Sequence, residues 1–238
     1  MKILLLGYGK MGKTIEKIAL ERGHAIAFVV DKGDEHLFDQ ISRQNVDVAI
    51  EFSQPDAAKE NILKCLHKRI PVVSGTTGWL DQFEVVKDVC EQHDGTFFYA
   101  SNFSLGVNIF FKINQFLAKI MNGFPDYKVS MEEIHHTEKK DAPSGTAITL
   151  AEGIMEQNEK IGKWVNQVTD DTRELGIVSQ RIDKVPGTHT VQYTSLVDDI
   201  EIKHTAHSRQ GFGLGAVLVA EWIVHKKGML SMKDYLNF

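Results

Sequence analysis

The sequence predicts an α/β chain, a Rossmann-type doubly wound parallel sheet with an inserted α+β domain built on a mixed, largely antiparallel sheet. Three observations carry this reading. Five short apolar runs in the first hundred residues are separated by stretches with helical spacing. After Asn102 the texture changes, and residues 177–207 hold extended segments without helices between them. A helical pattern then returns at 211–225. Strands that are apolar throughout, alternating with helices, belong to parallel sheets covered on both faces.

Taken in order, residues 2–6 form a continuous apolar strand, followed by a glycine-rich turn and a helix in which Ile15, Ile18 and Ala19 recur until Gly23. Residues 25–30 make a second strand ending at Asp31, and residues 46–52, 70–74 and 96–100 read as three more. Helices near 55–67 and 80–92 separate them, and the crossover rule makes each βαβ unit right-handed. Residues 105–121 predict a helix, 127–134 a strand, and 146–158 a further helix. The segments 177–181, 189–196 and 200–206 read as strands, with turns at Pro186-Gly187 and Asp198-Asp199. Gly228 is expected to close the last helix. The domains are therefore 1–103 with 210–238 for dinucleotide binding, and 104–209 for substrate binding and oligomerisation.

Composition excludes several classes. The 238 residues carry 27 Lys+Arg and 32 Asp+Glu, a formal charge of −5, with 42% hydrophobic and 25% charged residues. Disordered, collagenous and coiled-coil chains look different. The acidic balance and the absence of a Lys/Arg block argue against a nucleic-acid partner. Cys65 and Cys90 make no CxxC pair and no disulfide framework, which suits buried thiols in a reducing compartment. The apolar run at residues 3–6 is too short for a signal-peptide core, and the uncharged stretch 95–111 contains Asn, Ser and Gly. A soluble cytoplasmic protein with no membrane partner is expected.

The glycine-rich turn is Gly7-Tyr8-Gly9-Lys10-Met11-Gly12, placed between a strand and a helix. In that context Gly7 permits the turn, Gly9 lets the backbone approach a pyrophosphate, and Gly12 lets helix and strand pack closely. The helix N-terminus offers unpaired N–H groups to phosphates. Asp31 closes the second strand where a carboxylate binds a ribose 2′-hydroxyl, favouring NADH, while Lys32 and Lys10 could neutralise a 2′-phosphate and admit NADPH. A flavin or S-adenosylmethionine could occupy the same crevice. Two further loops, Gly75-Thr76-Thr77 and Ala100-Ser101-Asn102-Phe103, follow the fourth and fifth strands at the carboxyl edge, where open sheets bind ligands.

The densest polar cluster runs from Glu132 to Thr146. His135 or His136 is a candidate acid, because imidazole titrates near neutrality. Adjacent strand residues point to opposite faces, so both can meet one ligand only where the strand has ended. Lys139 can supply a charge or a proton. The helix start at Ser144, Gly145 and Thr146 presents N–H groups and hydroxyls that hold a carboxylate, and Arg209 could reach an anionic substrate. A metal held by Glu133, His135 and His136 is the competing reading. No HExxH or CxxC spacing supports it, and no metal is expected.

These motifs carry a specific resemblance. Residues Gly7 to Gly12, Gly75-Thr76-Thr77-Gly78, Asn102-Phe103-Ser104-x-Gly106-Val107-Asn108 and Glu133-x-His135-His136-x-x-Lys139-x-Asp141-Ala142-Pro143-Ser144-Gly145-Thr146-Ala147 occur in that order. Together they resemble the dihydrodipicolinate reductases, over nearly the whole chain. The resemblance implies an NAD(P)H-dependent reduction of a cyclic unsaturated dicarboxylate in the diaminopimelate route to lysine, by a homotetramer. It implies His135 as proton donor or acceptor and Lys139 as proton donor, with His136, Gly145 and Thr146 on the substrate. It implies cofactor contacts from residues 7–12, Asp31, residues 75–77 and residues 100–103. The glycine loop is one residue shorter than the family's common form, and the stretch from Asp31 to Ile50 is also short. Another two-domain NAD(P)-dependent oxidoreductase would share the loop and differ in the insert. A nucleotide-sensing regulator would need a DNA-reading element that the sequence does not display.

Overall fold

Residues whose side chains alternate between two covered faces build the first sheet. In β1 (Lys2–Leu6), Ile3 and Leu5 pack on one face with Ile15 and Ala19 of α1 (Lys10–Glu21). Leu4 and Leu6 pack on the other with Ile62 and Leu66 of α2 (Pro55–His67) and Val86 of α3 (Phe83–Gln92). All four β1 side chains are essentially removed from water, each contributing about 1.5–3 kcal/mol of burial. The computed structural model describes residues 1–208 and 210–238, which divide into two compact units, residues 1–105 with 210–238, and residues 106–208.

The first unit continues through β2 (Ala25–Val30), β3 (Val48–Glu51), β4 (Val72–Ser74) and β5 (Thr96–Tyr99). β2 matches its predicted run, whereas β3, β4 and β5 are shorter than the apolar runs that predict them. A 3-10 turn at Glu35–Gln40 fills the short stretch between β2 and β3, burying Phe38.

The second unit holds α4 (Leu105–Met121), most of whose length it contains, then β6 (Lys128–His135), α5 (Gly145–Met155), β7 (Lys163–Val165), β8 (Glu174–Arg181), β9 (Gly187–Thr194) and β10 (Asp199–Ala206). Its sheet order is β10-β9-β6-β8-β7. The sheet is mixed, as expected, and its two longest pairings are antiparallel. β9 runs antiparallel to β10 and β6, whereas β8 runs parallel to β6 and β7. The crossover through α5 carries the chain from β6 back to start β7, and the loop at 166–173 returns it to start β8, so both run in the direction of β6, as parallel neighbours require. Met131, Ile177 and Val191, in register across the three central strands, bury against Phe110 of α4 and Leu150 and Ile154 of α5.

The chain then returns to the first unit. α6 (Gln210–Ile223) buries Val217, Ala220 and Ile223 in the cluster that holds Ile3 and Leu5. Gly228 does not close that helix. It begins β11 (Gly228–Leu230), which pairs with β5, and α7 (Met232–Leu236) follows with a Ser231 and Asp234 capping box. The parallel order β11-β5-β4-β3-β1-β2 reverses direction between β1 and β3. Ligands bind outside the strand ends at such a switch point. Cys65 and Cys90 are buried, and burial pushes both thiols up. Among the described residues no helix is long and apolar enough to cross a membrane.

Candidate active site

At the switch point of the first unit, a cleft of about 930 Å³ is lined by Gly7, Tyr8, Lys10, Asp31, Lys32 and Thr76, with Gly9, Met11, Gly75 and Thr77 completing the loops. The glycines have separate jobs. Gly7 has φ +90°, and a Cβ there would lie 2.2 Å from the Phe52 carbonyl oxygen. A Cβ on Gly12 would meet the Gly7 carbonyl oxygen at 2.3 Å, whereas one on Gly9 would enter open space. Gly9 is the N-cap of α1, with no side-chain cap and no acid in the first turn. The free N–H groups and helix dipole therefore face an anion unopposed. This cradle fits a dinucleotide.

Glu51, fully buried at the end of β3, ties the neighbouring loops together. It accepts from Ser53 N at 3.0 Å, Ser74 Oγ at 2.6 Å and Thr76 Oγ1 at 2.8 Å. The loop after β5 is different. Ala100 and Phe103 are buried, Ser101 is exposed, and Asn102 Oδ1 accepts from Ser104 N at 2.9 Å; none of the four lines the cleft.

In the second unit, the helix-covered face of β6 changes character along its length. Met131 is core, but the next residues on that face are Glu133 and His135. Strand register brings His189 of β9 opposite Glu133, and Arg181 of β8 opposite His135. Glu133 accepts from Ser144 N at 3.0 and 3.2 Å and pairs with Arg181 Nη2 at 3.3 Å. His135 Nδ1 lies 3.3 Å from the carboxylate, off the ring's N–H axis, and His189 Nε2 lies 3.7 Å from it. Burial alone would raise the Glu133 pKa. The contacts from His135 and Ser144 outweigh it and hold the carboxyl well below its usual range. Burial, aided by His135, pushes His189 down to about 4.

β6 ends at His135, so His136 escapes the alternation; it is half-buried, with a buried Nδ1 that has no hydrogen-bond partner. Lys139 Nζ donates to both Asp141 carboxylate oxygens at 2.8 Å, and this holds Asp141 below its usual range. Arg181 donates to the carbonyls of Lys139 and Asp141 at 3.3 and 2.6 Å.

Ser144, the α5 N-cap, is buried. Its hydroxyl accepts from Ala147 N at 3.2 Å and sits 3.1 Å from His189 Nε2, engaged within the fold instead of facing outward. The next two N–H groups, of Gly145 and Thr146, belong to the first turn and have no partner inside the helix. Gly145 is exposed and a Cβ there would enter open space. Arg209 lies outside the described residues.

Glu133, His135 and His189 could together hold a metal ion, His189 standing where the sequence suggests His136. Glu133 is already engaged by the Arg181 cation and the Ser144 N–H, so the trio is better suited to handling a proton. Sequence reasoning gives Arg181 and His189 no role. The usable signal is strand alternation, which puts His189 on the face of Val191 and Tyr193 and makes it the one imidazole of that row in β9.

Comparison with known proteins agrees along the whole chain. The family models described as "Dihydrodipicolinate reductase, N-terminus" and "Dihydrodipicolinate reductase, C-terminus" match residues 1–103 and 106–236. A 4-hydroxy-tetrahydrodipicolinate reductase of Christiangramia forsetii is 53% identical over 237 residues, covering 100% of this chain and 98% of that protein. The enzyme of that name from Archaeoglobus fulgidus is 34% identical, with 96% of each chain covered. A dipicolinate-bound dihydrodipicolinate reductase from Paenisporosarcina sp. TG-14 shares the fold, with a TM-score of 0.77 at 20% identity and 99% of each chain covered. With both halves matched in order and a full-length relative above half identity, the chain belongs to the dihydrodipicolinate reductase family.

Proposed function

We propose that this chain catalyses the NAD(P)H-dependent reduction of 4-hydroxy-tetrahydrodipicolinate to tetrahydrodipicolinate, in the diaminopimelate route of lysine biosynthesis. The observation that carries this reading is the 53% identity to a reductase of that name across the full chain. Loss of water from the substrate leaves a conjugated C=C–C=N ring bearing two carboxylates. A reduced nicotinamide dinucleotide, when bound, supplies the hydride that adds to this system. The chain's own residues do the rest. Gly7, Tyr8, Gly9, Lys10 and Met11 with the α1 N-terminus hold the pyrophosphate, and Gly12 keeps helix and strand close. Asp31 and Lys32 meet the adenosine ribose, and residues 75–77 complete the cofactor contacts in the cleft.

The N–H groups of Gly145 and Thr146 and the Thr146 hydroxyl hold one substrate carboxylate, and Ser144 caps the helix that presents them. His136 and Lys139 add donors, and Arg209 a further cation. The electron pair displaced by the hydride collects a proton from Lys139 or His135. The fully exposed apolar Leu196 and Val197 between β9 and β10 support an interface with other copies, and we read the assembly as a cytoplasmic homotetramer.

The test is loss of reduced-nicotinamide absorbance with freshly generated substrate, comparing NADH with NADPH. Turnover by the native chain, and kcat losses of about 10²–10⁴-fold in His135→Gln and Lys139→Met, are expected. No turnover with either coenzyme would overturn the activity, and near-normal kcat in both variants would overturn the residue roles.

A further inference from the structure

We propose that Glu133 is the positioning residue of this site: one buried carboxylate holds the proton-handling imidazole, the loop carrying the ammonium and the helix start that takes the substrate carboxylate. This rests on the function proposed above.

Glu133 has no solvent exposure. A buried carboxylate is retained only where donors and positive charge surround it. Here those donors are the parts of the site itself. The Ser144 N–H reaches both carboxylate oxygens, which seats the first turn of α5, and with it Gly145 and Thr146, over the end of β6. Arg181 reaches Glu133 through Nη2, and the same guanidinium grips the carbonyls of Lys139 and Asp141. The loop bearing Lys139 is therefore one side chain removed from Glu133. His135 Nδ1 lies 3.3 Å from the carboxylate, within ion-pair distance though not aligned for a hydrogen bond.

The last contact has a chemical consequence. A negative charge 3.3 Å from Nδ1 favours, by proximity alone, a ring proton on that nitrogen, which would leave Nε2 as the reactive nitrogen. On the other side of the ring Nε2 lies beside Gly187, where a Cβ would come within 3.1 Å. Glycine there keeps Nε2 open. Every charged or titratable neighbour of Glu133 enters this picture: His135 on β6, His189 on β9, Arg181 on β8, and Lys139 with Asp141 on the loop. A purely structural carboxylate would need none of them to be part of the catalytic apparatus.

Three measurements test this. Nitrogen-15 NMR of the native chain, with His135→Gln identifying the signal, should show the neutral His135 ring protonated at Nδ1. Glu133→Gln, which keeps the shape and removes the charge, should abolish that preference. It should lower kcat about 10–100-fold and raise the substrate KM several-fold, with dinucleotide Kd unchanged because the cleft of the first unit is untouched. Glu133→Asp restores charge at a longer reach and should recover part of kcat. An Nε2–H tautomer in the native chain overturns the proposal, even if neither variant folds. So does a folded Glu133→Gln variant with native kcat and KM. If the native chain binds dinucleotide but reduces no dipicolinate precursor, the proposed activity fails while the tautomer result still decides the role of Glu133.

Discussion

Acid weakens the second unit, and His189 carries a share of the effect that can be worked out. Its imidazole, 5% exposed, is driven from 6.5 to about 4 by burial. His135, His204 and Lys139 push the same way, and Glu133 opposes them. The ring is neutral in the folded chain where it is charged in the unfolded one. The unfolded chain therefore takes up a proton between those two values, so stability is full above pH 6.5 and falls as the pH drops toward 4. Integrating that linkage from pH 7 to pH 5 gives a loss of about 2 kcal/mol. With a urea slope of about 2 kcal/mol per molar, the unfolding midpoint falls by about 1 M. Glu133, held below its ordinary 4.5, keeps its contribution above that value and loses it only in stronger acid, outside this window. Urea unfolding of the native chain and of His189→Gln, followed by circular dichroism at pH 7 and pH 5, isolates the term. The variant starts less stable at pH 7, having lost the Ser144 contact, but should lose about 2 kcal/mol less than the native chain on acidification. Parallel losses in the two proteins would show that His189 is protonated in the fold and refute the reasoning.

Two perturbations probe the first unit. Gly7→Ala puts a methyl group 2.2 Å from the Phe52 carbonyl oxygen at φ +90°; about 1–3 kcal/mol of strain and a dinucleotide affinity at least tenfold weaker are expected, measured by urea unfolding and fluorescence titration. Glu51→Gln replaces the buried acceptor of Ser53, Ser74 and Thr76 with an amide that can accept on one atom only. A loss of about 1–3 kcal/mol is expected, with calorimetry showing weaker dinucleotide binding but an unchanged substrate KM.

The fold class was legible because its strands are buried on both faces. Residues 2–6 and 25–30 read as strands without any knowledge of their partners. β7 and β11 were not legible: three residues each cannot display a period, and both exist because a neighbouring strand offers free hydrogen-bonding groups. The parallel pairing of β8 with β6 depends on where α5 and the loop at 166–173 deliver the chain, which local pattern does not encode. The same distinction divides the site. His135, His136, Lys139 and Ser144 lie within ten residues of one another and draw the eye as a motif. Arg181 and Ser144's partner His189 are 48 and 45 residues from the atoms they touch. Register assembles them, and register is decided by the hydrophobic rows of the second sheet.

The return of the chain to the first unit also fixes an order of events during synthesis. The central cluster around Ile3 and Leu5 is unfinished until Val217, Ala220 and Ile223 arrive, and β5 has an open edge until Gly228–Leu230 pairs with it. Residues 106–208 form their own core and are complete before the returning segment at 210–238 is made. Domains fold as units while the chain emerges, so the insert becomes native while the amino-terminal two-fifths of the protein still waits with exposed apolar strands. The oldest part of the nascent chain is the last to be finished, and it is there that chaperone protection matters most.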